Sequence, residues 1–326
     1  MRTVSRGLLV AAALATVATV TARFAPLVGA PVLAIVLGLV IRLWRPLPTP
    51  LVPGLKFAGK FVLQAAIVVS GFGLSIRAVA HTGLETLPVT VGTIAVALVL
   101  APLVGRMLRL DTTVEQLIGV GTAICGASAI AAVASVIEPA ETDLALSIAT
   151  IFFYNIAAVL TFPAIGHALA LTQNQFGVWA GTAVNDTSSV VAAGYAYGTQ
   201  AGEHATIVKL ARAAFILPVI AIVAVVHARA QRGVAVHVPW LRVVPWFIVW
   251  FVAAAGVNAT GIVPPAWHPG ITLLSTFLIS TALAAIGLQT EVARLVRSGA
   301  RPLALGFVLW VSVAAVSLVL QHVTGS

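Results

Sequence analysis

The sequence contains little charge and almost no cysteine. Of its 326 residues, 8% are charged and 60% are hydrophobic, whereas a soluble domain carries about 25% charged residues. This deficit of charge excludes a soluble globular protein. The single cysteine, Cys125, excludes a disulfide framework within the chain and a metal site built from several thiolates. The sequence also lacks a glycine-rich phosphate loop and a helix with a zinc-binding pair of histidines.

Acidic residues are the scarcest charged groups, with 9 Asp and Glu against 18 Lys and Arg, which gives a net charge of +9. In a soluble protein this excess would suggest nucleic acid. Here it indicates topology and no nucleic-acid partner, because cytoplasmic loops of membrane proteins are enriched in Lys and Arg. A cytoplasmic N-terminus and an outer C-terminus place 14 of the 18 basic residues on the cytoplasmic side. These are Arg2, Arg6, Arg42, Arg45, Lys56, Lys60, Arg106, Arg109, Arg229, Arg232, Arg242, Arg294, Arg297 and Arg301.

Apolar runs fill most of the chain. One crossing of a bilayer needs about 20 apolar residues, so the sequence predicts a single all-α transmembrane domain over 1–326 with about eleven crossings. The first run could instead be a cleaved signal peptide, because Arg2 and Arg6 precede it. The crossings are expected at about 7–22, 27–41, 57–76, 86–105, 114–137, 144–165, 177–198, 206–227, 244–261, 270–289 and 302–321.

A polar run interrupts the apolar segment 181–194, GTAVNDTSSVVAAG. Its centre is Asp186. An ionised Asp at mid-bilayer costs about 2.5–3.5 kcal/mol even on insertion scales. A membrane helix keeps such a residue for a partner, a cavity or a function, so we expect this segment to belong to the functional site.

Two internal similarities suggest repeats, which in many transporters enclose the substrate site. Residues 121–132, GTAICGASAIAA, match 181–192 at five of 12 positions. Residues 71–88 resemble 285–304, and these two copies lie an odd number of crossings apart, which predicts an inverted repeat. The abundance of alanine leaves chance as an alternative for the first pair.

Both polar stretches are predicted to break their helices at mid-membrane. Asn, Asp and Ser compete with the backbone for hydrogen bonds, and Gly loosens a helix. Half-helix N-termini attract anions and C-terminal carbonyls attract cations. The alternative is close helix packing through small residues. The candidate substrate or ion site comprises Cys125, Gly126, Ser128, Asn155, Asn185, Asp186, Thr187, Ser188, Ser189, Lys209 and Arg212.

Three of these candidates lie outside the polar stretches. Lys209 and Arg212 share one helix face, where they would bind an anion, provide a counter-charge for Asp186, or extend to the membrane surface. Asn155 lies in the middle of the sixth predicted crossing, where it would join helices or belong to the same polar core.

The candidate residues do not form a catalytic set. A serine nucleophile needs a base within hydrogen-bond reach, and every histidine falls near a predicted segment end. An aspartyl protease needs two carboxylates, and Asp186 is the one deep Asp. We therefore expect no enzyme and no cofactor or metal site. A channel is an alternative to a carrier.

Four motifs, in this order and spacing, resemble a known family. They are SGFGLSI (70–76), GVGTAICGASAIAA (119–132), GTAVNDTSSVVAAG (181–194) and KLAR (209–212). The chain resembles the YeiH-like sulfate exporter family of multi-pass proteins of the bacterial inner membrane. The resemblance implies a fold related to cation/proton antiporters and bile-acid symporters, with inverted repeats, and it adds sulfate as a substrate.

These observations together predict a secondary transporter that exports a small anion, sulfate or a related oxyanion or sulfonate. Asp186 would couple transport to H⁺ or Na⁺. The alternative is a monovalent cation/proton antiporter that uses the same Asp186. The expected partners are the anion, the coupling ion and the lipid bilayer, and the chain could assemble as a homodimer.

Overall fold

The structure, a computed structural model, describes residues 2–22, 29–230, 245–290 and 299–325, and every regular element in these ranges is a helix. The first eight helices are α1 (Arg2–Ala22), α2 (Ala30–Trp44), α3 (Val52–Phe57), α4 (Leu63–Gly71), α5 (Ile76–Glu85), α6 (Leu87–Met107), α7 (Thr112–Ala123) and α8 (Ala127–Ile137). The others are α9 (Glu141–Ala168), α10 (Gln173–Ala183), α11 (Thr187–Tyr197), α12 (Thr199–Ala214), α13 (Ile216–Ala230), α14 (Trp246–Ala259), α15 (His268–Gln289) and α16 (Ala300–Thr324).

Proline and π-helical geometry set several of these boundaries. Pro31, Pro53, Pro88 and Pro269 occupy the first turns of α2, α3, α6 and α15, where the missing N–H has no helical partner to lose. A π-helical segment, Ala58–Val62, joins α3 to α4. The third predicted crossing therefore begins near Val52, several residues before the expected start at 57.

Seven helical stretches of the described chain are long and apolar enough to cross a membrane, which agrees with a multi-pass protein but does not confirm eleven crossings. Two further predicted crossings are the shorter apolar helices α2 and α14. The remaining two, at 114–137 and 177–198, are each divided into two short helices. Large apolar side chains such as Leu43, Trp250 and Leu273 are exposed on the outer surface, as a lipid environment requires.

One helix lies between two predicted crossings, at 57–76 and 86–105. It is α5, which contains Arg77 and Glu85. This helix has ten residues, among them Arg77, His81 and Glu85, so hydropathy does not reveal it. The matching repeat copy, 285–304, includes residues 291–298, which lie outside the described residues. The inverted repeat therefore stays a prediction, as do the positions of Arg232, Arg242, Arg294 and Arg297.

The described helices pack as two groups. The first helix group contains α1 to α4, α14 and α15, and the second contains α6 to α13 and α16. Helix α5 contacts both groups, and α11 of the second group packs against α2 and α15 of the first. In the second group, stacked rings join α9, α10 and α16: Phe162 lies 4.2 Å from Trp179 and 5.5 Å from Trp310 between ring centroids. Each such pair contributes about 0.5–1.5 kcal/mol beyond its buried area, so these helices form a stiff unit.

Two glycines allow a close contact between α2 and α15 in the first helix group. A Cβ added to Gly38 on α2 would lie 2.6 Å from the carbonyl oxygen of Ala284, and one added to Gly287 on α15 would lie 2.4 Å from that of Ile35. Such distances leave room for glycine only, and close backbone approach is how helices associate in lipid.

We expect Gly38→Val or Gly287→Val to separate α2 from α15 and lower stability by roughly 1–3 kcal/mol, the usual cost of overpacking. Thermal unfolding in detergent measures the change. Gly256→Val on α14 is the matched control, because nothing lies within 4 Å of its added Cβ. Equal melting temperatures for all three variants would contradict the close contact.

Candidate functional site

The first helix break lies between α7 and α8. Helix α7 ends at Ala123 and α8 begins at Ala127, with Ile124 at φ −123°, ψ −92° and Gly126 at φ +66°, ψ −130°. The conformation of Gly126 is one that residues with a side chain rarely adopt. This is why the GTAICGAS stretch breaks here: the glycine allows the chain to leave one helix and start another within three residues.

The second break lies between α10 and α11, and Asp186 starts the second half. Helix α10 ends at Ala183 and α11 begins at Thr187. Oδ2 of Asp186 accepts a hydrogen bond from the Ser188 backbone N–H at 2.9 Å and another from the Ser188 hydroxyl. Asp is among the preferred N-cap residues because its oxygen satisfies an N–H that the helix leaves free.

Asn155 on α9 supports the unwound backbone of the second break. Its Oδ1 accepts hydrogen bonds from the backbone N–H groups of Asn185, at 3.2 Å, and Asp186, at 3.1 Å. Asn155 and Asn185 are both buried. The predicted role of Asn155 in the polar core thus takes a specific form, since its amide replaces helical partners that the break removed.

Two buried cations satisfy the carbonyl groups at the ends of the first halves. Nζ of Lys209 donates to the carbonyl oxygens of Ile124, at 2.6 Å, and Val184, at 2.9 Å. Arg212 donates from Nε to Ala123 O, at 2.7 Å, and from Nη2 to the carbonyl oxygen of the preceding residue, at 3.0 Å. Both side chains are 0% exposed. The C-terminal ends of α7 and α10 carry partial negative charge, so these cations complement them.

The N-terminal ends of the second halves meet on the other side of the breaks. A Cβ added to Gly126 would lie 3.5 Å from Cβ of Asp186, so the N-cap of α8 contacts the N-cap of α11. Both ends carry partial positive charge and N–H groups that point out of the helix. The two breaks therefore separate charge: negative ends face buried cations, and positive ends face each other across the N-caps.

A cavity of about 1310 Å³ opens at these positive ends. Its lining comes from both helix groups, so the site lies between them. Among the described residues that line it, the charged ones are Asp186, Lys56 and Lys60. The polar lining further includes Gln64, Cys125, Ser128, Ser135, Thr187, Ser188, Gln289 and Thr290.

Five of the predicted site residues line this cavity, namely Cys125, Ser128, Asp186, Thr187 and Ser188. Ser128 is exposed to it, and its hydroxyl contacts the Cys125 carbonyl oxygen at 2.9 Å and Sγ at 2.8 Å. The other candidates lie outside the lining. Gly126 shapes the first break, and the buried residues are Asn155, Asn185, Ser189, Lys209 and Arg212.

The position of Lys209 and Arg212 corrects one expectation. Neither side chain reaches the surface of the protein, and neither forms an ion pair with Asp186 among the residues that the structure describes. Their donors are directed at backbone carbonyls of the breaks instead. Sequence spacing identifies the shared helix face but does not reveal its partners, because those partners are backbone atoms more than 20 residues away.

Lys56 and Lys60 were treated only as topology markers, yet both line the cavity, together with Gln64 on the same helical stretch. Their spacing of four residues on one helix face was the available signal. Gln289 and Thr290, at the end of α15, carried no signal of their own, because their role depends on how α15 packs against the breaks.

Apolar outer surface and long apolar helices define a multi-pass helical membrane protein. The profile of the family described as "Conserved hypothetical protein 698" matches residues 6–306. The UPF0324 membrane protein FN0533 of Fusobacterium nucleatum is 38% identical over 325 residues, which cover 93% of each chain. The UPF0324 membrane protein spr0034 of Streptococcus pneumoniae is 39% identical over 310 residues, which cover 93% of this chain and 92% of that protein.

The chain therefore belongs to the UPF0324 family of membrane proteins, the YeiH-like family, which confirms the resemblance found in the sequence. The match extends over nearly the whole chain, so both breaks and the cavity lie within the shared region. No solved structure matches the chain significantly.

We expect Asn155→Ala to lower stability by roughly 1–3 kcal/mol, because two buried N–H groups of the second break lose their acceptor. Thermal unfolding in detergent measures this loss. The control is Thr161→Ala on the same helix, whose exposed hydroxyl bonds only to the Ala157 carbonyl within that helix. A melting temperature for Asn155→Ala equal to that of the control would contradict the supporting role.

Proposed function

We propose that this protein is a secondary transporter that moves a small anion, sulfate or a related oxyanion or sulfonate, out of the cytoplasm. The observation that carries the proposal is the meeting of two half-helix N-termini, those of α8 and α11, at one cavity. Helix N-termini bind anions through free N–H groups and the positive end of the helix dipole. Broken helices of this kind bind anionic substrate groups in transporters.

Hydroxyl groups at the same place complete the proposed anion site. Ser128 and Thr187 lie in the first turns of α8 and α11 and line the cavity. A hydroxyl can donate a hydrogen bond to an oxyanion. Lys209 and Arg212 contribute indirectly. They cover the negative C-terminal ends of α7 and α10, so the electrostatic potential at the cavity stays positive.

Asp186 is the proposed coupling group. Its carboxylate lies at the N-cap of α11 and lines the cavity, where an ionised Asp would repel an anion. Binding of a proton or a sodium ion to the carboxylate removes this repulsion, so the occupancy of the carboxylate would control anion binding. This gives the carboxylate a reason to lie beside an anion site.

The proposed export direction agrees with the predicted topology. The positive-inside rule assigns Lys56 and Lys60 to the cytoplasmic side, and both are exposed lining residues of the cavity. The cavity would then take its substrate from the cytoplasm. This proposal is for a transporter and not for an enzyme. It also includes four further predictions: the inverted repeat, the outer C-terminus, a homodimer and a fold related to bile-acid symporters.

We expect Asp186→Asn to abolish the response of sulfate transport to an H⁺ or Na⁺ gradient in proteoliposomes. Asn also serves as an N-cap, so the variant should fold while it loses the ionisable group. Asp111→Asn, which changes an exposed Asp at the start of α7, is the matched control. Gradient-driven transport by Asp186→Asn at the wild-type rate would refute the coupling role.

We also expect the double change Lys56→Gln and Lys60→Gln to raise the apparent KM for the anion roughly two- to tenfold at low ionic strength, because charged cavities concentrate ions of opposite sign. The difference should shrink at high salt, where exposed charges are screened. Arg45→Gln, an exposed change on the same predicted side, is the control. An equal KM at low salt would contradict the contribution of the lysines.

The alternative function is a monovalent cation/proton antiporter, which the single carboxylate in the described lining favours. Purified protein in liposomes separates the two. An anion-dependent rise in melting temperature across oxyanions, sulfonates and carboxylates supports the anion transporter, whereas a sodium gradient that moves protons without any anion supports the antiporter.

A further inference from the structure

Lys209 is buried in an unusual way. Its side chain is 0% exposed, and lysine is almost never fully buried unless it is paired. Among the residues that the structure describes, no carboxylate pairs with it. Its two acceptors are backbone carbonyls of two different broken helices, Ile124 O at 2.6 Å and Val184 O at 2.9 Å. The ammonium group therefore joins the two breaks to each other.

The place that this ammonium occupies has the character of a site for a monovalent cation. Carbonyl oxygens of unwound backbone and C-terminal ends of half-helices coordinate Na⁺ in transporters with broken helices. Here the C-terminal ends of α7 and α10 converge, and both are partially negative. An ammonium group carries the same single positive charge as Na⁺. Its N–H groups donate hydrogen bonds to carbonyl oxygens, the type of oxygen that coordinates Na⁺.

Arg212 shares this end of α7 with Lys209. Its guanidinium occupies the carbonyls of Ala123 and Thr122, which leaves the carbonyls of Ile124 and Val184 for one further cationic donor. The ammonium group of Lys209 fills this remaining place.

We propose that Lys209 is a tethered cation that fills the monovalent-cation site between the ends of α7 and α10, so that the transporter needs no free Na⁺. This rests on the proposed function, because it decides between the two coupling ions left open there. The coupling ion is then the proton, carried by Asp186, while Lys209 positions the two breaks for anion binding.

Lys209→Ala tests the site without any transport measurement. The change removes three methylene groups and the ammonium, which are the atoms of propylammonium. We expect the variant to unfold at a lower temperature than wild type, and propylammonium to raise that temperature by several degrees. Ammonium should act in the same direction, and wild type should respond to neither, because its own side chain fills the site.

Two additives of matched properties serve as controls for this rescue. 1-Propanol has the same length as propylammonium without the charge, and tetramethylammonium has the charge without an N–H donor. Rescue by 1-propanol as strong as that by propylammonium would overturn the proposal, since packing would then explain the effect. So would equal rescue of Lys56→Ala, because that lysine is exposed in the cavity.

Lys209→Met keeps the test decisive if Lys209→Ala fails to fold. Methionine fills the space without a charge, so we expect lower stability than wild type and no response to propylammonium. Wild-type stability of Lys209→Met would overturn the proposal, because the carbonyls of Ile124 and Val184 would then need no cation.

Transport by the wild-type protein provides the last readout. We expect anion movement in proteoliposomes to follow a pH gradient and to proceed equally in sodium and in choline buffers. A requirement for Na⁺ would overturn the proposal while the anion transporter stands. Failure of the proposed function itself would show as wild-type protein that neither moves nor is stabilised by any anion, and the unfolding comparison would still test the cation site.

Discussion

The structure depends on how the unpaired backbone groups of two helix breaks are satisfied. In a bilayer no water replaces a lost helical hydrogen bond, so each free N–H and C=O that does not face a cavity must find a partner within the protein. The partners here are three side chains from outside the breaks. Asn155 accepts from N–H groups of the second break, Lys209 donates to one carbonyl of each break, and Arg212 donates to two carbonyls of the first. These hydrogen bonds also hold the two breaks in their observed arrangement.

The same contacts determine the sign of the electrostatic potential in the cavity. If the negative ends of α7 and α10 were as open as the positive ends of α8 and α11, the four half-helix dipoles would largely cancel at the point where they meet. Burying Lys209 and Arg212 against the negative ends removes that cancellation. Burying these two cations costs free energy, but they satisfy carbonyl groups that would otherwise lack hydrogen-bond donors. The cavity therefore retains the positive potential of two helix N-termini, with Ser128 and Thr187 beside them.

Sequence reasoning predicted the breaks because their cause is local. Gly126 and the run from Asn185 to Ser189 disfavour a helix wherever they occur, and the structure interrupts both helices there. What was missed depends on packing. Lys209 bonds to carbonyls 85 and 25 residues away, which no periodicity reveals. Lys56 acquires a place in the cavity only because the first helix group packs opposite the breaks, and α5 is too short and too polar to register in a hydropathy profile.

The two helix groups contribute different parts of the site. The breaks, their three supporting side chains and Asp186 belong to the second helix group, which is stiffened by the stack of Phe162 between Trp179 and Trp310. The lysines and glutamines of the opposite wall belong to the first. A displacement of one group relative to the other would therefore change the width and the charge of the cavity while every hydrogen bond at the breaks stayed intact. For the proposed transporter this separation would be useful, because a site that must bind its substrate in more than one state cannot rebuild its helix ends in each of them.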